Sequence, residues 1–304
     1  MNAVQIEKVT KQFDGHTAVD DLSLVVPQGS IYGFIGPNGS GKTTTLRMIM
    51  NIIYPDCGEI EVFGQRVEGA VVERIGYLPE ERGLYRKMKV RELLRFLGEI
   101  KCGRRVDEEV DRWLERLGLA DWGERKVEAL SKGMGQKVQF AAAVVTRPEL
   151  AVLDEPFSGL DPVNAELLRT AILELKEQGA TVIFSTHDMH VAEQLCDSIF
   201  MIFRGRKVLD GRLEEIREEY GRDRLRVRCV GNREGLRGLE GVDEVRDLGQ
   251  VQELHMMKGA DPQAILRKLV TRVQVEQFEL ASPSLHDIFV SIAGPAAEGE
   301  VEDA

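Results

Sequence analysis

The chain has 304 residues, of which 43% are hydrophobic and 30% charged, proportions that suit a folded protein with room for one large domain and a small one and that exclude a disordered chain. A formal net charge of -11 argues against a surface built throughout to grip a nucleic-acid backbone, and no apolar run approaches the roughly 20 residues a helix needs to cross a bilayer. The opening MNAVQIEKVTKQF has neither a basic nor an apolar stretch of the secretory kind, so the protein is expected in the cytosol, and Cys57, Cys102, Cys196 and Cys229 lack metal-ligand or disulfide spacing.

In chain order, SIYGFIG from Ser30 reads as a strand ending in glycine, and TTTLRMIMNII after it has apolar residues at helical spacing. Between Lys87 and Glu128 the pattern turns helical, with Val110, Trp113, Leu114 and Leu117 on one face, so a helical subdomain is expected over about residues 85–150. ELAVLDEP and ATVIFSTH are short continuous apolar runs ending in polar residues, as parallel strands buried on both faces require. The charged run EEIREEYGRD marks a helix and a linker, which sets the first domain at 1–220. Beyond it LRVRCV alternates as a half-buried strand does. A helix-like REGLRGL follows, then strands near Val242 and Val251, a helix opened by Asp261 and Pro262, and a last strand VQVEQFEL. That βαββαβ order predicts a small α+β module of ferredoxin-like type over 221–294, followed by an acidic, disordered tail over 295–304.

Gly36–Thr43 reads GPNGSGKT, a match to GxxxxGK(S/T) between a strand and a helix. Such a loop turns backbone N–H groups inward around phosphates at a helix N-terminus. Gly36, Pro37, Asn38, Gly39, Ser40 and Gly41 are therefore expected to cradle phosphate with Thr44, while Lys42 reaches the β- and γ-phosphates and the Thr43 hydroxyl meets Mg2+. The strand LAVLDE delivers two carboxylates to the same sheet edge: Asp154 suits a magnesium partner that acts through water or through another ligand, and Glu155 suits polarising an attacking water.

This series resembles the ATP-binding-cassette family from about residue 4 to residue 215. The resemblance implies an α/β P-loop ATPase that uses ATP and Mg2+. Phe13 matches the family's adenine-stacking aromatic, although a core phenylalanine reads equally well; LSKGM (Leu130–Met134) matches the signature LSGGQ, SGLD (Ser158–Asp161) the D-loop, and His187 the switch histidine that contacts a γ-phosphate. Two departures stand out. Glu80 occupies the slot of a glutamine that binds the metal, unless Glu81 takes it or Glu80 faces solvent; and Lys132 and Met134 replace a glycine and a glutamine, leaving Ser131 and Gly133 to meet phosphate.

In the family two such domains close head to tail, so the resemblance implies a second ATPase subunit and a separate membrane permease, faced by RGLYRKMKVRELL. The permease would hold the protein at the inner face of the cell membrane, and the C-terminal segment PSLHDIF resembles the accessory domain of bacterial exporter-type ATPases, unless that domain is a dimer-stabilising appendage with no ligand. The rival reading is an ATPase acting on nucleic acid or ribosomes; one cassette, no sustained heptads and the acidic balance count against it, so no nucleic-acid partner is expected.

Overall fold

The computed structural model describes residues 1–81, 83–221, 224–230, 233–236 and 238–298. Two units separate, Met1–Arg212 and a second that begins at Leu213.

The first unit carries two sheets. Strands β1 (Asn2–Phe13), β2 (His16–Pro27) and β4 (Cys57–Val62) pair antiparallel in the order β2-β1-β4. This sheet was not foreseen. Its registers slip at several points, and Lys8 and Asp21 take left-handed φ values of 48° and 46°, which interrupts the alternation a strand normally shows. Side chains stabilise the irregular backbone: Lys8 N–H donates to Ser23 Oγ at 2.9 Å and Asp21 N–H to Thr10 Oγ1 at 3.1 Å.

The second sheet has six strands: β3 (Ile31–Ile35), β5 (Ile75–Leu78), β6 (Leu150–Leu153), β7 (Thr181–Thr186), β8 (Ser198–Phe203) and β9 (Arg206–Arg212), ordered β5-β6-β7-β3-β8-β9. The first five are mutually parallel and β9 folds back antiparallel on β8. Every residue of β3, β6 and β7 is buried, which is why their apolar residues run consecutively rather than alternating, with the polar Ser185 and Thr186 confined to the C-terminal end of β7 beside Thr181 at its start. Parallel strands put their C-terminal ends on one edge, and β3, β5, β6 and β7 end there in the segments that carry Lys42, Glu80, Glu155 and His187.

Helix α1 (Lys42–Ile49) follows β3, and a single turn, α2 (Ala70–Glu73), precedes β5. The expected helical insert consists of α3 (Val90–Cys102), α4 (Asp107–Arg116), two 3-10 turns and α5 (Lys132–Val144). The predicted face of Val110, Trp113, Leu114 and Leu117 is the buried one, with Trp113 edge-on to Phe140 of α5 at 5.7 Å. Helix α6 (Pro162–Glu177) packs toward β7, and α7 (Met189–Leu195) precedes β8.

In the second unit α8 (Leu213–Glu219) is followed by β10 (Arg224–Val230), β11 (Val242–Asp247), β12 (Gln252–Met256) and β13 (Gln274–Ala281), an antiparallel sheet in the order β11-β12-β10-β13. This is the ferredoxin-like order. Helix α9 (Pro262–Arg272) is capped by Asp261, which accepts from Gln263 N–H at 2.9 Å, and places Ile265 and Leu269 in a core with Leu225, Val227 and Leu254. Two features differ from expectation. The segment REGLRGL forms a 3-10 turn over Arg233–Leu236 instead of a helix, and α10 (Leu285–Glu298) runs into the expected tail, where Ala296, Ala297 and Glu298 are good helix formers. The remaining tail, 299–304, lies outside the described residues. Among the described residues no helix is long and apolar enough to cross a membrane.

Candidate functional site

The glycine loop is forced by close backbone approach. A Cβ on Gly36 would lie 2.3 Å from the Ile202 carbonyl oxygen, and one on Gly41, whose φ is 110°, 2.5 Å from that of Ala18. Gly41 also stands at the N-cap of α1, where no side chain caps the helix, so first-turn N–H groups stay open to an incoming anion. Asn38, Gly39, Lys42 and Thr44 line a cavity of about 500 Å3 there with Thr43 and Glu80. The cavity is also lined by Glu155 from the far side of the sheet edge and by His16 and Ala18 from the antiparallel sheet.

Lys42 is buried and folds onto its own loop, donating to Gly36 O at 2.7 Å and Pro37 O at 3.0 Å. Burial lowers its pKa from the ordinary lysine value, and the carboxylates of Glu155, Asp154 and Glu80 oppose that shift. Pro37 O also accepts the Ser40 N–H at 3.2 Å, while the buried Ser40 hydroxyl has no hydrogen-bond partner.

Asp154, wholly buried, accepts the Thr43 hydroxyl at 3.2 Å and the Ser185 hydroxyl at 2.6 Å on the same oxygen, Oδ1. Its second oxygen, Oδ2, is buried without a partner. Glu155 adopts a left-handed φ of 48°, held by its N–H donating to Ser185 Oγ at 2.8 Å. That turn brings Glu155 Oε1 to 3.0 Å from His187 Nδ1 and 3.9 Å from Lys42 Nζ. Ser185 was missed in the sequence, although it stands in β7 two residues before His187 and so shares a sheet edge with the carboxylates.

Glu80 and Glu81 part company. Both are exposed, but Glu80 lines the cavity, whereas Glu81 reaches Arg47 of α1 at 3.3 Å. The unpaired Asp154 Oδ2, the Thr43 hydroxyl and Glu80 are hard oxygen donors of the kind magnesium takes, so the residues present fit that ion. Among the described residues no group of three or more His, Cys, Asp or Glu side chains forms a metal cage, and a magnesium ion here would complete its shell with phosphate oxygens and water.

Other residues expected at the site lie elsewhere. Phe13 is 44% exposed at the end of β1, with Lys11 Nζ 5.3 Å above its ring; it does not line the cavity but pairs in register with His16, which does. Ser131 is the N-cap of α5 and accepts Met134 N–H at 3.2 Å, and Asp161 is the N-cap of α6, accepting Val163 and Asn164 N–H at 3.0 Å. Hydrogen bonds from Asn164, backbone and side chain, hold the Asp161 carboxyl below the usual range. A Cβ on Gly133 would touch Leu160 and Asn164, and the Lys132 side chain lies along Gly159, so signature and D-loop residues form a second cluster of their own.

A glycine loop between a parallel strand and a helix, with a buried Asp-Glu pair ending the strand two places away, defines a P-loop nucleoside-triphosphatase site. Comparison with known proteins makes this specific. The family model for the ABC transporter matches residues 19–158, and that for the C-terminal domain of DrrA1-3-like ATP-binding proteins matches 211–293. The chain is 41% identical over 295 residues to the uncharacterized ABC transporter ATP-binding protein YhaQ of Bacillus subtilis, covering 96% of this chain and 99% of that one. It is 33% identical over 281 residues to a fluoroquinolones export ATP-binding protein of Mycobacterium tuberculosis, covering 91% and 88% respectively. Among solved structures, an ATP binding subunit of an ABC transporter superposes with a TM-score of 0.67 at 30% identity, over 72% of this chain and 93% of that one. The chain belongs to the ABC transporter ATP-binding proteins, ATPases whose hydrolysis is coupled to transport.

Proposed function

We propose that this chain binds ATP with Mg2+ in the Lys42–Glu155 cavity, closes head to tail on a second ATPase subunit, and drives a separate membrane permease in export. The observation that carries this reading is the Glu155 carboxylate, held between Lys42 Nζ and His187 Nδ1 at the mouth of the phosphate loop. On this reading Lys42 exchanges its loop carbonyls for the β- and γ-phosphates, and the α1 N–H groups and those of the loop receive the remaining phosphate charge. Glu155 orients the attacking water and takes its proton, and His187 steadies that carboxylate and contacts the γ-phosphate. Thr43 and Glu80 would hold the magnesium, with Asp154 behind Thr43 acting through it or through water, and the ion would neutralise charge developing on the phosphates.

The second cluster supports dimer closure. Ser131, Gly133 and Asp161 sit at the starts of two helices and outside the cavity, a position suited to meeting the nucleotide of a partner subunit. Export and a permease partner are supported by the relative that acts in fluoroquinolones export. The permease would hold the subunit at the inner face of the membrane.

Affinity purification from detergent-solubilised membranes tests the reading. Recovery of a polytopic membrane protein with the chain, together with ATP hydrolysis by the recovered complex that Lys42→Ala abolishes, is expected. Recovery only with nucleic acid or ribosomes would overturn it.

A further inference from the structure

Gln139 is buried on α5, two helical turns beyond the N-cap Ser131, and the cavity does not include it. Its side-chain Nε2 donates to Pro79 O at 3.2 Å and to Glu81 O at 2.9 Å. These carbonyls bracket Glu80. Both amide protons are thus committed to the loop that carries the cavity carboxylate, while Oε1 is buried with no partner. The amide orientation follows from chemistry, because turning Oε1 toward two carbonyl oxygens would set acceptor against acceptor. A buried acceptor left open costs free energy that an apolar side chain at this position would avoid. The gain is a cross-link over a short loop, which limits the backbone freedom of Glu80.

The tether has counterparts on two sides. Arg47 of α1 takes the Glu81 carboxylate, while the neighbouring Glu80, also exposed, lines the cavity. Gln136, one turn before Gln139 and on the same face of α5, donates to Pro156 O at 3.1 Å, immediately after Glu155. The helix that begins at the signature serine therefore grips both loops that bring carboxylates to the cavity.

We propose that Gln139 is a positioning residue for the nucleotide site: by holding the carbonyls of Pro79 and Glu81 it fixes Glu80 toward the metal position, so that displacement of α5 moves Glu80 with it. The proposal rests on the reading of Glu80 as a magnesium ligand, and its test separates the two. Gln139→Met keeps the length and volume of the side chain and removes both donors. In the full-length variant, hydrogen exchange at the Glu80 and Glu81 amides should accelerate at least about tenfold as the loop is freed. The magnesium concentration giving half-maximal binding of a fluorescent ATP analogue should rise by about tenfold, the usual effect of losing a residue that orients a metal ligand. On a Glu80→Ala background, which itself raises that concentration, Gln139→Met should add less than about twofold, because the group through which it acts is gone. Should Gln139→Met fail to fold, Gln139→Glu offers the same reading, since a carboxylate cannot donate to either carbonyl. Unchanged exchange at Glu80 and Glu81, or an equal magnesium shift on both backgrounds, overturns the proposal. If Glu80→Ala alone leaves the magnesium requirement unmoved, the metal assignment falls, and the exchange rates still decide whether Gln139 holds the loop.

Discussion

One oxygen of Glu155, Oε1, is shared between His187 Nδ1 at 3.0 Å and Lys42 Nζ at 3.9 Å, and the left-handed turn at Glu155 is what lets a single carboxylate oxygen face both. Replacing that carboxylate by an amide keeps the shape of the site but removes the base. Glu155→Gln should therefore bind ATP while kcat falls by about 10²- to 10⁴-fold. With its release step missing, the closed dimer should accumulate in MgATP. Size-exclusion chromatography should show it, and a strictly monomeric profile at saturating MgATP would count against closure by this subunit alone.

Lys42→Ala removes the cation that lies against the phosphate loop and leaves Glu155 at the cavity, and the buried Asp154 behind it, uncompensated. ATP affinity should drop by at least about tenfold, the worth of one charge-assisted hydrogen bond, and hydrolysis should be nearly abolished. Equilibrium binding and phosphate release measure the two effects. Near-normal turnover would remove Lys42 from the site.

Glu80 brings an anionic oxygen to a cavity that already holds Glu155. The extra charge is tolerable while a divalent cation compensates it, so ATP affinity should depend steeply on magnesium. Glu80→Gln should retain ATPase activity with a shallower magnesium dependence, measured as nucleotide affinity across a magnesium titration. Identical titrations for parent and variant would mean that Glu80 does not sense the metal.

Ser185 serves both acidic residues, donating to the Asp154 carboxylate at Oδ1 (2.6 Å) and accepting from the Glu155 backbone N–H at 2.8 Å. Ser185→Ala should cost about 1–3 kcal/mol of stability, since it leaves buried polar groups with fewer partners. It should also lower kcat more than it raises KM, because Glu155 loses its backbone restraint. Urea unfolding and steady-state kinetics give the two readings, and a neutral change in both would show the hydroxyl to be dispensable.

A chain ending at Gly221 keeps every strand of the six-stranded sheet, the phosphate loop, both carboxylates and His187. It should fold and hydrolyse ATP at a rate within about threefold of the full chain, as expected where the two units have separate cores. A folded but inactive truncation would make the second unit part of the catalytic apparatus.

The sequence alone determined the parts of this protein that are local. A phosphate loop is a strand, a glycine turn and a helix in one continuous stretch, so Gly36–Thr43 could be read directly; Asp154 and Glu155 followed because they end an apolar run whose C-terminus a parallel sheet must place on the same edge, and His187, at the end of another such run, was singled out by the family resemblance. The alternation of LRVRCV and the turn of helix after Asp261 exposed the second unit in the same way. What only the tertiary structure decided depends on partners far apart in the chain. The bulged antiparallel sheet hid its strands because Lys8 and Asp21 break the period of two. Glu80 and Glu81 are adjacent and chemically alike, yet Glu80 lines the cavity while the Glu81 carboxylate meets Arg47, 34 residues before it, and the Glu81 carbonyl accepts from Gln139, 58 residues after it. A pattern along the chain reports which face a residue shares with its neighbours, but not which distant donor will meet it, and it is those meetings that turn a row of carboxylates into a site.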